Sequence, residues 1–156
     1  NYAELATRME VSIRKFGIRE DIDNAYTNLL GKTVVMGKKL NEKLNDEQRL
    51  AVMAHEFAHI KKKQALKSLL LLLPFGLCAL PLGDLPPAMC VISILAYMFV
   101  VMTPINWRNE FEADKTAADF VGVEKLRSAL LVIAGKNIRE PSETHPSIAK
   151  RLEKLG

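Results

Sequence analysis

The 156-residue chain reads as a mainly helical α+β fold, with a small antiparallel sheet and a two-helix apolar hairpin inserted between two charged helices. Three observations predict it. Between Lys67 and Arg108 the one charged residue is Asp84, although the chain carries 22 Lys and Arg and 18 Asp and Glu. On both sides of that stretch, apolar residues recur at helical spacing. Ahead of it, Ile18, Ile22, Tyr26, Val34 and Val35 sit among Asp, Asn, Thr and Gly, the composition of short strands and turns.

Leu5, Met9, Ile13 and Phe16 fall at helical spacing, which predicts an amphipathic helix over 2–16 ending near Gly17. Strands follow at 25–29 and 32–37, turning near Leu30-Gly31. Asn45-Asp46-Glu47-Gln48 has the form of a capping box and opens a helix that continues at least to Ile60. Ser68 to Leu82 is free of charge, Gly83-Asp84 makes a turn, and Leu85 to Asn106 is again free of charge. The second run is long enough to cross a bilayer, which takes about 20 apolar residues. The first is interrupted by Pro74 and Pro81 and borrows length from the preceding helix, with Lys67 snorkelling. Together they predict a transmembrane hairpin over 66–106. Both feet of the hairpin lie on one side, with all the Lys and Arg, so the positive-inside rule puts the charged part in the cytoplasm. Beyond it come a helix over 108–121 stopped by Gly122, another over 123–134 stopped by Gly135, a polar loop, and a last helix over 146–155 with Pro146 in its first turn. The whole, 1–156, is one domain carrying a membrane insert.

The net charge of +4 is modest and its basic residues are scattered without interleaved aromatics, which argues against nucleic acid as a partner. Cys78 and Cys90 have neither zinc-finger nor C-x-x-C spacing, and read as free thiols kept reduced in the cytoplasm. The chain opens on Asn1, and residues 1–20 lack the apolar core of a signal peptide.

The chemistry lies in His55-Glu56-Phe57-Ala58-His59. On a helix, two histidines four residues apart share a face, so both imidazoles can meet one zinc ion. Glu56 can then reach a water on that zinc and take its proton. A catalytic zinc needs a third protein ligand and an open position. That ligand is either His145, the remaining histidine, or a carboxylate. Glu110-Phe111-Glu112-Ala113-Asp114 puts Glu110 and Asp114 on one helical face, where Glu110 would complete a His₂Glu site and Asp114 could fix the tautomer of a ligand histidine. His145, ahead of Pro146-Ser147, could steady an oxyanion, and Arg151 could hold a substrate carbonyl or carboxylate.

In series, Asn24-Ala25-Tyr26, the helix through Ile60, the apolar hairpin, Glu110-Phe111-Glu112-Ala113-Asp114, His145-Pro146-Ser147 and Arg151 resemble the HtpX and CAAX-prenyl-protease family of membrane zinc peptidases, in the gluzincin group. The resemblance runs from about Asp21 to Leu155. It departs at Thr27-Asn28, where small residues are usual, and at Asn109, with the basic residue displaced to Arg108. Larger members also carry membrane helices ahead of the catalytic region. The resemblance implies a zincin-like domain with one zinc per chain, ligated by His55, His59 and Glu110. It implies Glu56 as general base, Asp114 behind the ligands, His145 on the transition state, and Asn24 and Arg151 at the substrate. It further implies an edge strand, 32–37, that pairs with extended peptide, and action on membrane-associated, misfolded or prenylated proteins. Two other readings fit parts of the sequence: a non-catalytic membrane scaffold, and a soluble latent metallopeptidase whose C-terminal segment covers its cleft.

Overall fold

A computed structural model describes residues 1–28, 32–79, 86–141 and 144–156, and the side chains of all of these except 73–79 and 87. The turns expected at Leu30-Gly31 and Gly83-Asp84, Pro81, and the side chain of Cys78 lie outside that set. Cys90 is a free, half-buried thiol.

Helix α1 spans Tyr2–Arg8 and is capped by the Asn1 side chain. It stops well short of Gly17, because Glu10 turns into the left-handed region (φ 58°) and the chain re-emerges as strand β1, Lys15–Arg19. Phe16, expected on the helix, instead packs from β1 against the rings of Tyr2 and Phe57. Strand β2 is Ala25–Thr27 and β3 is Thr33–Gly37, in the order β1-β3-β2. β1 pairs with β3 in parallel and β2 pairs with it antiparallel, so the sheet is mixed and not antiparallel. β3 is therefore the central strand, with Val34, Val35 and Met36 buried, and the expectation that 32–37 is a free edge is corrected. Among the described residues, β2 is the sheet edge next to Asn24.

Gly37 closes the sheet onto the segment that carries Asn24. Its N–H donates to the Asn24 carbonyl at 2.8 Å, and a Cβ there would lie 2.1 Å from the Ile22 carbonyl oxygen. A short helix that the sequence pattern did not reveal, α2, follows at Lys38–Lys43 and buries Leu40.

Helix α3, Asp46–Lys61, begins with the expected capping box: the Asn45 side chain accepts from the Gln48 N–H while the Gln48 side chain accepts from the Asn45 N–H. It is buried on all sides from Ala51 to Ala58. The chain then breaks at Lys62-Lys63, with Lys63 at φ 51°, so the next helix starts afresh and borrows no length from α3. That helix, α4, runs Gln64–Ala79 and passes through Pro74. Helix α5, Pro87–Tyr97, continues through a π-helical turn at Met98–Met102 into α6, Thr103–Val121. Pro104 explains the π turn. It has no N–H for the carbonyl four residues back, and the ladder widens so that the Thr103 N–H reaches the Met98 carbonyl. Helices α7, Val123–Ala134, and α8, Ile148–Lys154, complete the chain. Gly122 and Gly135 stop α6 and α7 as expected. The last helix starts two residues later than predicted: Ser147 caps it through the Lys150 N–H, and Pro146 sits before the cap.

The core surrounds α3, with α6 and α7 packed against it. Ala51, Ala54, Ala58, Ala113 and Ala117 are wholly buried, and such small side chains let α3 and α6 approach closely. The apolar helices stand apart from this core. Leu70, Ile92, Phe99 and Val100 are 53%, 64%, 56% and 73% exposed. Tyr97 on α5 donates its hydroxyl to the Leu71 carbonyl of α4 at 2.6 Å. Among the described residues, the helical run Ala88–Val121 is long and apolar enough to cross a membrane.

Gly37→Ala should destabilise the fold by about 1–3 kcal/mol, the usual cost of forcing an extra carbon into a packed site. The check is a thermal melt of the purified protein; an unchanged midpoint would show that the Asn24 segment is not held against Gly37.

Candidate metal centre

Two helices supply the centre. Helix α3 presents His55 and His59 one turn apart, with their Nε2 atoms 3.0 Å from each other. Helix α6 brings Glu110 across from them: its Oε2 is 3.4 Å from His55 Nε2 and its Oε1 is 3.3 Å from His59 Nε2. His55, His59 and Glu110 offer one ligand atom each within 4.8 Å of one another, a group that could hold a metal ion. His145, the other candidate for third ligand, stands further off, with its Nε2 3.7 Å from Glu110 Oε1 and its side chain 47% exposed.

Behind the ligands lies a buried charged pair. Asp114, one turn after Glu110, accepts from Arg151 Nε at 2.7 Å and Nη2 at 2.6 Å. The same carboxylate lies 2.9 Å from His55 Nδ1. Nδ1–H donates to Asp114, so that Nε2, once its own proton is displaced, turns its lone pair toward Glu110 and His59. The guanidinium also approaches Glu110, with Nη1 3.4 Å from Oε2. His59 is oriented from its far side too: its Nδ1 hydrogen-bonds the side-chain oxygen of Gln64. Gln64 was not among the residues the sequence pattern singled out.

The residues fit a dication on two counts. Glu110 Oε2 is buried and makes no hydrogen bond, only the two ion-pair contacts at 3.4 Å to His55 and Arg151, so it keeps a lone pair that a cation could take. Charge balance points the same way. Glu56, Glu110, Asp114 and Arg151 are all under 10% exposed, so three carboxylates face one guanidinium and two negative charges remain if the imidazoles are neutral. A divalent ion held by two imidazole nitrogens and a carboxylate cancels that excess.

Without the ion, protons take its part. Burial works to lower the pKa of His55, but Glu110 and Asp114 outweigh it and push it up to about 10. Burial opposes ionisation of Glu110, yet the two imidazoles hold it well below the usual carboxylate range. Asp114 likewise resists burial and is held low by Arg151 and His55. Glu56 is shifted the opposite way: burial raises it, and the pull of His55 and His59 only partly offsets this.

A cavity of about 370 Å³ opens beside the ligands. His55, Glu56, Arg151 and His145 line one part of it, Asn24 and Ala25 at the start of β2 form its rim, and Leu126, Leu130 and Ile133 of α7 give it an apolar wall. His145 is partly turned to solvent, its Nδ1 2.8 Å from Thr144 Oγ1, and burial among its neighbours lowers its pKa against the pull of Glu110. All the site residues expected from the sequence thus border one cleft or stand directly behind it. Arg151 belongs to both, since it lines the cavity while its fork is occupied by Asp114.

Residues 2–156 match peptidase family M48. The chain belongs to this family. M48 proteins are metallopeptidases, and the HtpX and CAAX-protease resemblance read from the motifs falls within it. A curated relative, the CAAX prenyl protease 1 homolog of Taenia solium, is 27% identical over 146 aligned positions. The alignment takes in 69% of this chain and 30% of the relative, so the chain spans under a third of that protein's length.

The charge state of the metal-free centre predicts how an ion competes for it. His55 keeps its proton until the pH approaches about 10, so a divalent cation must displace that proton at neutral pH. Affinity should therefore rise with pH, by about tenfold per unit between pH 7 and 9, as each bound ion releases one proton. Chelator competition at several pH values measures the slope, and a flat profile would contradict this charge state. Glu110→Ala should leave the purified protein without stoichiometric metal, read by elemental analysis; full occupancy would remove Glu110 from the ligand set.

Proposed function

We propose that this chain is a membrane-embedded zinc metalloendopeptidase acting on peptide bonds of membrane-associated or misfolded proteins. In this reading residues 1–156 form a single catalytic domain, 66–106 cross the bilayer as a hairpin, and the charged part faces the cytoplasm. The observation that carries it is the meeting of His55, His59 and Glu110 around one point, with Glu56 beside them on an open cleft.

Zinc suits the donor set of two imidazoles and a carboxylate. When bound, it would supply a Lewis acid that acidifies water and polarises a peptide carbonyl. The remaining steps belong to side chains. Glu56, its pKa raised by burial, takes a proton from the attacking water and later passes it to the departing amine. His145, whose Nε2 lies 3.7 Å from Glu110 Oε1, would donate a hydrogen bond to the carbonyl oxygen as it gains negative charge. Asp114 and Arg151 hold His55 in its ligating tautomer, and the Arg151 charge adds to the positive field over the substrate. The outer edge of β2, which follows Asn24, offers backbone groups to an extended peptide, the usual mode of strand addition.

The exposed apolar faces of α4 and α5 support the bilayer assignment, together with the basic residues at the feet of the hairpin, Lys62, Lys63, Lys67 and Arg108. The partners in this reading are a lipid bilayer and a peptide or protein substrate.

Glu56→Gln should retain zinc while peptide cleavage in detergent falls by about 10²–10⁴-fold, the span of a lost general base. Cleavage at the wild-type rate would sink the mechanism. The full chain should stay with the membrane pellet through alkaline carbonate and leave it only with detergent; release by carbonate alone would favour the soluble, latent form.

A further inference from the structure

Gln64 is a polar side chain buried to 4% exposure at the point where the apolar helices leave the core. Its amide makes two contacts in two directions. Nε2 donates to the Asn109 carbonyl at 3.0 Å, and Oε1 meets His59 Nδ1. The first contact fixes the sense of the second. A backbone carbonyl can only accept, so the NH₂ group must face Asn109 and the oxygen must face His59. An oxygen there can only accept, so His59 carries its proton on Nδ1. Nε2 is then left with a lone pair directed at His55 Nε2 and Glu110.

The chain path makes this contact possible. Gln64 is five residues after His59, and on an unbroken helix it would point about 140° away from it. The break at Lys62-Lys63, with Lys63 in the left-handed region that residues with a Cβ seldom occupy, folds the first residue of α4 back over the end of α3. Asn109, at the other end of the amide, immediately precedes Glu110 on α6. One side chain therefore touches one candidate ligand and the peptide that carries another, at the neck where α4 leaves the core and α6 enters it.

We infer that Gln64 is a positioning residue for the metal centre: it selects the Nδ1–H tautomer of His59 and ties that imidazole to the segment bearing Glu110. This rests on the zinc-site reading above. Asp114 does the same for His55 with a charged carboxylate, whereas Gln64 does it with a neutral amide.

The test compares Gln64→Leu and Gln64→Glu with the full chain in detergent, using zinc itself as the probe in chelator competition. Glutamate keeps an acceptor for His59 but sets an oxygen against the Asn109 carbonyl; leucine offers neither contact. Gln64→Leu should bind zinc about 10–100-fold more weakly, the usual cost of removing the partner of a ligand histidine. Gln64→Glu should stay within a few-fold of wild type. In ¹⁵N-histidine spectra of the zinc-loaded protein, the His59 Nδ1–H signal should be sharp in wild type and Gln64→Glu and broadened by exchange in Gln64→Leu. Wild-type affinity in Gln64→Leu would overturn the inference. Equal losses in both variants would also overturn it, since they would show only a clasp between helices. Failure of the wild-type chain to bind zinc would instead overturn the reading on which this one stands.

Discussion

Three buried carboxylates share one buried guanidinium at the centre of this molecule, and much of the remaining structure answers to that imbalance. Glu56, Glu110, Asp114 and Arg151 lie among side chains such as Phe57, Ala54, Ala113 and Leu126 that cannot solvate charge. An unpaired ion in such surroundings costs several kcal/mol, so the excess must be met by a cation or by protons. Neither can act unless α3 and α6 bring imidazoles and carboxylates within reach of each other. The alanines between these helices provide the closeness, and α8 supplies Arg151 from the far end of the chain to hold Asp114.

The apolar insert falls between the helices that carry His55, His59 and Glu110, and its attachment is not symmetrical. On the outgoing side the backbone breaks at Lys62-Lys63, and the link back to the centre is the Gln64 amide. On the return side there is no break: α5, the π turn and α6 are one helical run from Pro87 to Val121, so Glu110 and Asp114 are fixed in rotation relative to the apolar segment. Trp107 sits one turn before Glu110 with the Lys150 ammonium 4.8 Å above its ring, which joins the foot of this helix to α8. An indole at that position, between apolar and charged stretches, is also where a bilayer surface would hold it.

Much of the centre could be read from the sequence because its signals are local. A capping box, two histidines at i and i+4, and Glu110 with Asp114 at the same spacing each declare a helix and one face of it. What escaped was non-local. Leu5, Met9, Ile13 and Phe16 have helical spacing, but Phe16 finds its partners in Tyr2 and Phe57 through a strand, and nothing near it in sequence announces parallel pairing with Val34. The same strand, β1, covers the side of β3 that the resemblance leaves open to substrate. α2 is too short to show a period, and Gln64 lies off the histidine face unless the turn before it is known. Lys62-Lys63 holds neither Gly nor Pro, so the sequence offers no sign of the reversal there.

The same charge balance bears on why Glu56 stands where it does. With a dication on His55, His59 and Glu110, and with Asp114 matched by Arg151, the buried centre is neutral only while Glu56 is ionised. A proton passed to Glu56 leaves the centre one charge positive. In the proposed reaction, attack on a peptide carbonyl would put one negative charge on its oxygen in the same step, so the charge gained on the carboxylate side would offset the charge gained by the substrate. The centre would then hold no net excess before the proton moves or after it, and burial of Glu56 and Glu110 strengthens each attraction without penalising the change. On the proposed mechanism, a glutamate more open to water would give up part of that coupling, which is a physical reason for Glu56 to be buried on α3 next to His55, even though burial raises its pKa.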